Sequence, residues 1–127
     1  MLVILDSSFL LYALKEHMEF DEEIRSAITG PLQTATLDLV RFELERLARS
    51  STKTGGLARL ALDQLANKHV RLIETLAGPR EVDTAIICAD LSERSPVAVA
   101  TADRILKGVL TQAGISTISP RFRRLMV

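Results

Sequence analysis

"VATADRILKGVL", residues 99–110, joins an apolar run to a helical pattern across Thr101, Ala102 and Asp103. The run before Thr101 is apolar without alternation, as in a strand buried on both faces. The pattern after Asp103 continues to Gly114, a residue suited to a helix C-terminal cap. The same arrangement occurs near the N-terminus. In "VILDSSFLL", residues 3–11, Asp6 follows an apolar run and precedes a helical one. An aspartate at such a junction has two readings. It caps the helix, which stabilises by about 1 kcal/mol, or it is one of the groups that an open parallel sheet gathers beyond its strand ends. Asp103 fits a cap well. Asp6 fits less well, because Ser7 or Ser8 could cap in its place.

Working outward from these junctions, strand-like runs fall at Leu2–Leu5, Leu32–Ala35, Val70–Ile73, Val97–Ala100 and Ser116–Ile118. Helical patterns lie between them. "SFLLYALKE" follows the first strand, and "LDLVRFELERLARS" carries Leu37, Val40, Leu44, Leu47 and Ala48 on one stripe. Gly55-Gly56 reads as a loop before a helix over residues 57–67. "EVDTAIICADL" repeats Val82, Ala85, Ile86 and Ala89 at helical spacing. The tail "PRFRRLMV" suits either an edge strand or an arm. Alternating strands and helices predict an α/β fold, three-layer α/β/α, with a central, mostly parallel sheet of four or five strands. No linker or repeat interrupts residues 1–127, so a single domain is expected.

Composition narrows the function classes. Hydrophobic residues make up 47% of the chain, with four Phe, one Tyr and no Trp, so the core is aliphatic. Sixteen basic and sixteen acidic residues cancel, and any affinity for nucleic acid must come from local patches. One cysteine and two distant histidines exclude an intramolecular disulfide and argue against a Cys/His zinc site. No basic leader and no spanning stretch is present, so a cytoplasmic protein without a membrane segment is expected.

Right-handed crossovers would bring Asp6 and Asp103 to one edge of the sheet. Glu43 is a third candidate. At about 100° per residue it stands at the margin of its helix's apolar stripe, with Glu45 beyond the other margin. Its alternative is a solvated flank residue paired with Arg46. Asp83 is a fourth, and its place at a helix start is also favoured by the helix dipole. Asp90 faces the same side but about 10 Å further along the axis, too far to share one ion.

The order strand–Asp6-Ser7-Ser8-Phe9-Leu10, "VRFELERL", "VDTAI" and "VATADRILK" resembles the PIN-domain family of nucleases over nearly the whole chain. It is most similar to small single-domain members, VapC-type toxins and archaeal relatives of ribosomal-RNA processing nucleases. The family's acids fall on Asp6, Glu43, Asp83 and Asp103, with Thr101 and Ser8 as supporting hydroxyls. The sequence departs where the family often has Thr-Asn (here Ser7-Ser8) and Asn before the last aspartate (here Ala102). It also departs where some members carry a further acid (here Arg104 and Ile105). The resemblance implies an RNA-cleaving enzyme, with a role in RNA processing or as the toxin of a toxin–antitoxin pair.

Clustered carboxylates repel one another, and all-oxygen donors suit Mg²⁺ or Mn²⁺. Asp6 and Asp103 are expected as central metal ligands, with Glu43 and Asp83 ligating directly or through water. Two basic groups, Arg46/Arg49/Lys53 with Arg41 near and Arg121/Arg123/Arg124, would track an RNA backbone or form solvated faces. Phe42 points away from its helix's stripe, so a cover is expected, and a homodimer would supply one. An antitoxin protein is a further expected partner. Two other readings compete. One is a PIN-like RNA-binding or scaffold module with weak or no catalysis, motivated by Ser8 and Ala102. The other is a phosphoacceptor receiver domain, which needs an acidic pair after the first strand where this chain has serines. A second aspartate two residues on, required by haloacid-dehalogenase-type phosphatases, is replaced by Ser8, and no glycine-rich phosphate loop is present.

Overall fold

Leu2–Leu5, buried along its whole length, is the central strand of the sheet. The computed structural model describes residues 1–75 and 96–120. Within them the chain runs β1 (Leu2–Leu5), α1 (Ser7–Lys15), α2 (Phe20–Ala27), β2 (Gln33–Leu37), α3 (Asp38–Ala48), α4 (Lys53–Asn67), β3 (Arg71–Ile73), β4 (Val97–Ala100), α5 (Arg104–Gln112) and β5 (Ser116–Ile118). The strand order is β3-β2-β1-β4-β5 and every pairing is parallel. The chain builds outward from β1 through β2 to β3, then returns to the other side of β1 with β4 and β5. The order therefore reverses between β1 and β4, the position where open α/β sheets form their binding crevices.

The architecture is three-layer α/β/α. α3 and α4 pack closely together, α1 packs on α4, and α5 lies against β5. The core is aliphatic as composition predicts, with Phe9 and Phe20 its only fully buried aromatic rings among the described residues. Burial of such side chains is the main stabilising term, about 1.5–3 kcal/mol for each large aliphatic. β1 and β4 are buried on both faces, which is why their sequences do not alternate.

Several boundaries differ from the expectation. β2 is Gln33–Leu37, later than Leu32–Ala35. Polar Thr36 stays in the strand because its hydroxyl donates to the Leu5 carbonyl at 2.9 Å. β3 begins at Arg71 and not Val70. α2 has no counterpart in the sequence reading, because a buried Glu23 interrupts the apolar stripe of Phe20 and Ile24 on its inner face. The loop expected at Gly55-Gly56 is instead helix: α4 starts at Lys53, capped by Thr52, whose hydroxyl accepts from the Gly55 amide at 3.2 Å. A Cβ at Gly55 would stand 2.1 Å from the Ser50 carbonyl oxygen, so only glycine permits this turn. Gly114 has φ +79° just past α5, as the cap reading requires. The helix expected over "EVDTAIICADL", with Asp83 and Asp90, lies outside the described residues, as do Arg121, Arg123 and Arg124.

The C-terminal end of α4 is tied to α2. Lys68 Nζ donates to Asp21 at 3.1 Å and to Glu19 at 3.2 Å, and lies 5.8 Å from the Phe20 ring centroid. Those bonds, first to Asp21 and then to Glu19, raise the Lys68 pKa. Phe42 is 60% exposed, with no cover among the described residues. Among the described residues no helix is long and apolar enough to cross a membrane.

Candidate active site

Leu5 and Ala100 stand opposite each other in the β1–β4 ladder, so the residues that follow them meet. The Asp6 amide donates to the Ala100 carbonyl at 2.9 Å, which fixes the backbone at the junction. Asp6 is only 6% exposed and Thr101 1%. Asp6 Oδ2 accepts from Ser8 Oγ at 2.5 Å and from Thr101 Oγ1 at 2.9 Å. The two hydroxyl oxygens are also 3.1 Å apart. Each hydroxyl has one proton, and the ionised oxygen is the better acceptor, so both protons go to Asp6. Their own lone pairs are used too: Ser8 Oγ accepts from the Ala102 amide at 3.0 Å and Thr101 Oγ1 from the Asp103 amide at 3.1 Å.

The sequence left Asp6 and Asp103 between cap and site, and the two resolve differently. Asp6 occupies the N-cap position of α1 but makes no side-chain cap bond. Asp103 does cap α5, with Oδ1 accepting from the Ile105 amide at 2.9 Å and the Leu106 amide at 3.1 Å. Glu43 arrives from α3, on the far side of β1. Ser7 Oγ donates to Glu43 Oε2 at 3.0 Å. The expected Glu43–Arg46 pair is not among the described ion pairs, while Glu45 pairs with Arg41 at 2.9 Å.

Asp6, Glu43 and Asp103 line one open cleft of about 360 Å³, walled also by Ser7, Ser8, Ile105 and Val109. Among the described residues no lysine or arginine lines it. One oxygen of each acid is engaged: Oδ2 of Asp6, Oε2 of Glu43 and Oδ1 of Asp103. The described hydrogen bonds leave the second oxygen of each without a protein donor. Such a donor set fits a hard divalent cation in kind. Among the described residues no three His, Cys, Asp or Glu side chains group tightly enough to hold an ion. Mg²⁺ needs no complete protein shell, because it keeps several waters and takes one or two carboxylates.

Two residues escaped sequence reasoning. Ser7 orients Glu43, a partnership no spacing reveals because it crosses elements. Asp38 also ends a strand and begins a helix, yet it lies off the cleft: its carboxylate accepts from the Leu39 amide and from the amide and hydroxyl of Thr75. Arg46, Arg49 and Lys53 are exposed and do not line the cleft.

No protein-family model matches the chain. It is 30% identical over 125 residues to "Ribonuclease VapC4" of Methanocaldococcus jannaschii, covering 96% of this chain and 92% of that protein. Among solved structures it is similar to the PIN domain endonuclease Utp24, with TM-score 0.78, 21% identity, and 95% of this chain and 86% of that one covered. It is also similar to VapBC-1 from nontypeable Haemophilus influenzae, with TM-score 0.61, 16% identity and coverage of 92% and 96%. At those identities the structures speak for the fold. The relative at 30% identity speaks for descent as well, and the chain belongs to the PIN-domain family, among its VapC-like proteins.

Proposed function

We propose that this protein is a metal-dependent endoribonuclease, hydrolysing RNA phosphodiester bonds at the cleft of Asp6, Glu43 and Asp103. The observation that carries the reading is three carboxylates on one cleft, each with an oxygen unclaimed by the described protein donors and, among the described residues, no cation on the lining. Asp83 is the fourth acid of this reading, and Mg²⁺ or Mn²⁺ the cofactor. When bound, such an ion supplies Lewis-acid activation of water and of a phosphoryl oxygen. The chain's own part is to hold the acids in place. Ser8 and Thr101 hold the Asp6 carboxylate in a fixed orientation. The first amides of α5 orient Asp103, and Ser7 orients Glu43. Family membership and the name of the M. jannaschii relative support the same chemistry.

With this reading go an antitoxin partner, a cytoplasmic location, a homodimer that covers Phe42, and a role as a toxin or in ribosomal-RNA processing. The departures at Ser8 and Ala102 give little support to a non-catalytic module. Ser8 still donates to Asp6, and position 102 contributes its backbone amide, which asparagine would share. The test is cleavage of single-stranded and structured RNA with Mg²⁺, Mn²⁺ or chelator, beside Asp6→Asn and Asp103→Asn. Cleavage that needs metal and both aspartates is expected. Metal-dependent cleavage surviving both substitutions would refute the site.

A further inference from the structure

Asp103 forms a ridge between two unlike hollows. On one side lies the acidic cleft, with Ile105 and Val109, one turn apart, on its wall. On the other lies a pocket of about 270 Å³ that shares Asp103 with the cleft and is lined by Arg104, Lys107 and Ser119. The helix geometry explains the division. Residues 105 and 109 sit on one side of α5 and residues 104 and 107 on another, three positions apart. Two positive side chains therefore face a hollow adjoining one with three acids.

Neither cation is spent on a carboxylate among the described residues. Lys107 Nζ donates to the neutral Ser119 hydroxyl at 2.9 Å, which orients the ammonium without cancelling its charge. Arg104 makes no described ion pair. Asp103, which lines the same pocket, has Oδ1 committed to two α5 amides. An oriented ammonium, a guanidinium with no carboxylate partner among the described residues and a hydroxyl on one pocket are the donors a phosphate requires. Sequence reasoning placed the basic groups elsewhere, at Arg46/Arg49/Lys53 and Arg121/Arg123/Arg124. It treated Arg104 only as the loss of an acid.

We propose that the Arg104/Lys107/Ser119 pocket binds a backbone phosphate of the RNA strand next to the scissile linkage, so that the strand crosses the Asp103 ridge. This rests on the ribonuclease reading for the scissile phosphate, but the pocket's binding is measurable without cleavage. Its function is positional: it offsets the repulsion between an acidic cleft and a polyanion, and it fixes which linkage lies over the acids.

The test uses the full chain and a labelled single-stranded oligoribonucleotide, with chelator present to stop cleavage. Binding is measured across a salt series for wild type, Arg104→Gln/Lys107→Gln and, as a surface control, Lys15→Gln; thermal melts confirm folding. We expect the double variant to bind roughly tenfold more weakly at low salt, with the slope of log affinity against log salt shallower by about 0.7, the contribution of one phosphate contact on a single strand. The control should match wild type. A conservative Arg104→Lys/Lys107→Arg variant should restore the slope, which a structural defect would not. An unchanged slope in the double variant, or no RNA binding by wild type, overturns the pocket. If the slope falls as expected but wild type cleaves nothing with metal, the ribonuclease reading fails and the pocket stands.

Discussion

The β1–α1 and β4–α5 junctions are built from the same parts: an apolar strand, a strand-end aspartate, a hydroxyl residue and a helix. They use the aspartate in opposite ways. Asp6 is buried and held by side-chain hydroxyls, one of them from the other junction, and contributes no cap bond. Asp103 is exposed at its carboxylate and caps its helix through one oxygen. A strand-end acid can thus line the cleft without capping its helix, or do both. Thr101 couples the two, donating to Asp6 and accepting from the Asp103 amide.

The sharpest way to break the comparison is by substitution to asparagine. Asp6→Asn and Asp103→Asn should each reduce RNA cleavage on the order of 10³-fold in kcat/KM, equivalent to about 4 kcal/mol of transition-state stabilisation. Neither should lower the melting temperature, because asparagine caps as well as aspartate does and Asp6 caps nothing. Thr101→Val attacks the coupling. It strips a donor from Asp6 and an acceptor from the Asp103 amide inside the fold, and should cost about 1–3 kcal/mol in chemical denaturation. Activity should drop with it, on the order of the 10–100-fold that loss of a ligand-orienting partner brings. Asp103→Ala should destabilise by about 1 kcal/mol where Asp103→Asn does not. Equal stability of those two variants would remove the capping half of the contrast. The smallest effect is expected from Ser7→Ala. It frees Glu43 and should weaken activity roughly tenfold, visible as a higher metal concentration at half-maximal cleavage, with stability nearly unchanged.

Much of this was legible beforehand. Unbroken apolar runs such as "LVIL" and "VAVA" gave strand positions to the residue, because burial on both faces leaves no ambiguity of phase. Helix angle put Glu43 and Glu45 at opposite margins of the apolar stripe, and only the family resemblance chose Glu43 between them. What stayed hidden depends on contacts between distant elements. Thr36 belongs to β2 only because a carbonyl of β1 accepts its proton. Gly55 and Gly56 read as a loop, whereas Gly55 lies inside a helix and is glycine because the Ser50 carbonyl approaches it too closely for a Cβ. Whether Asp6 or Asp38 turns to the cleft also escapes local rules. Both end strands, yet Asp38 is taken by Thr75 from beyond β3.

The central place of β1 has a consequence in time. The strand is made before both of its neighbours, and the second of them, β4, follows it only after β2 and β3, while the Thr101 amide in turn donates to Ile118 of β5. Pairings between such distant segments form slowly in folding generally. A chain emerging from the ribosome with everything through α4 already carries Asp6, Ser7 and Glu43, yet it has no Thr101 to fix Asp6 and no Asp103. The cleft of Asp6, Glu43 and Asp103 therefore comes together only after β4 and the start of α5 have been made.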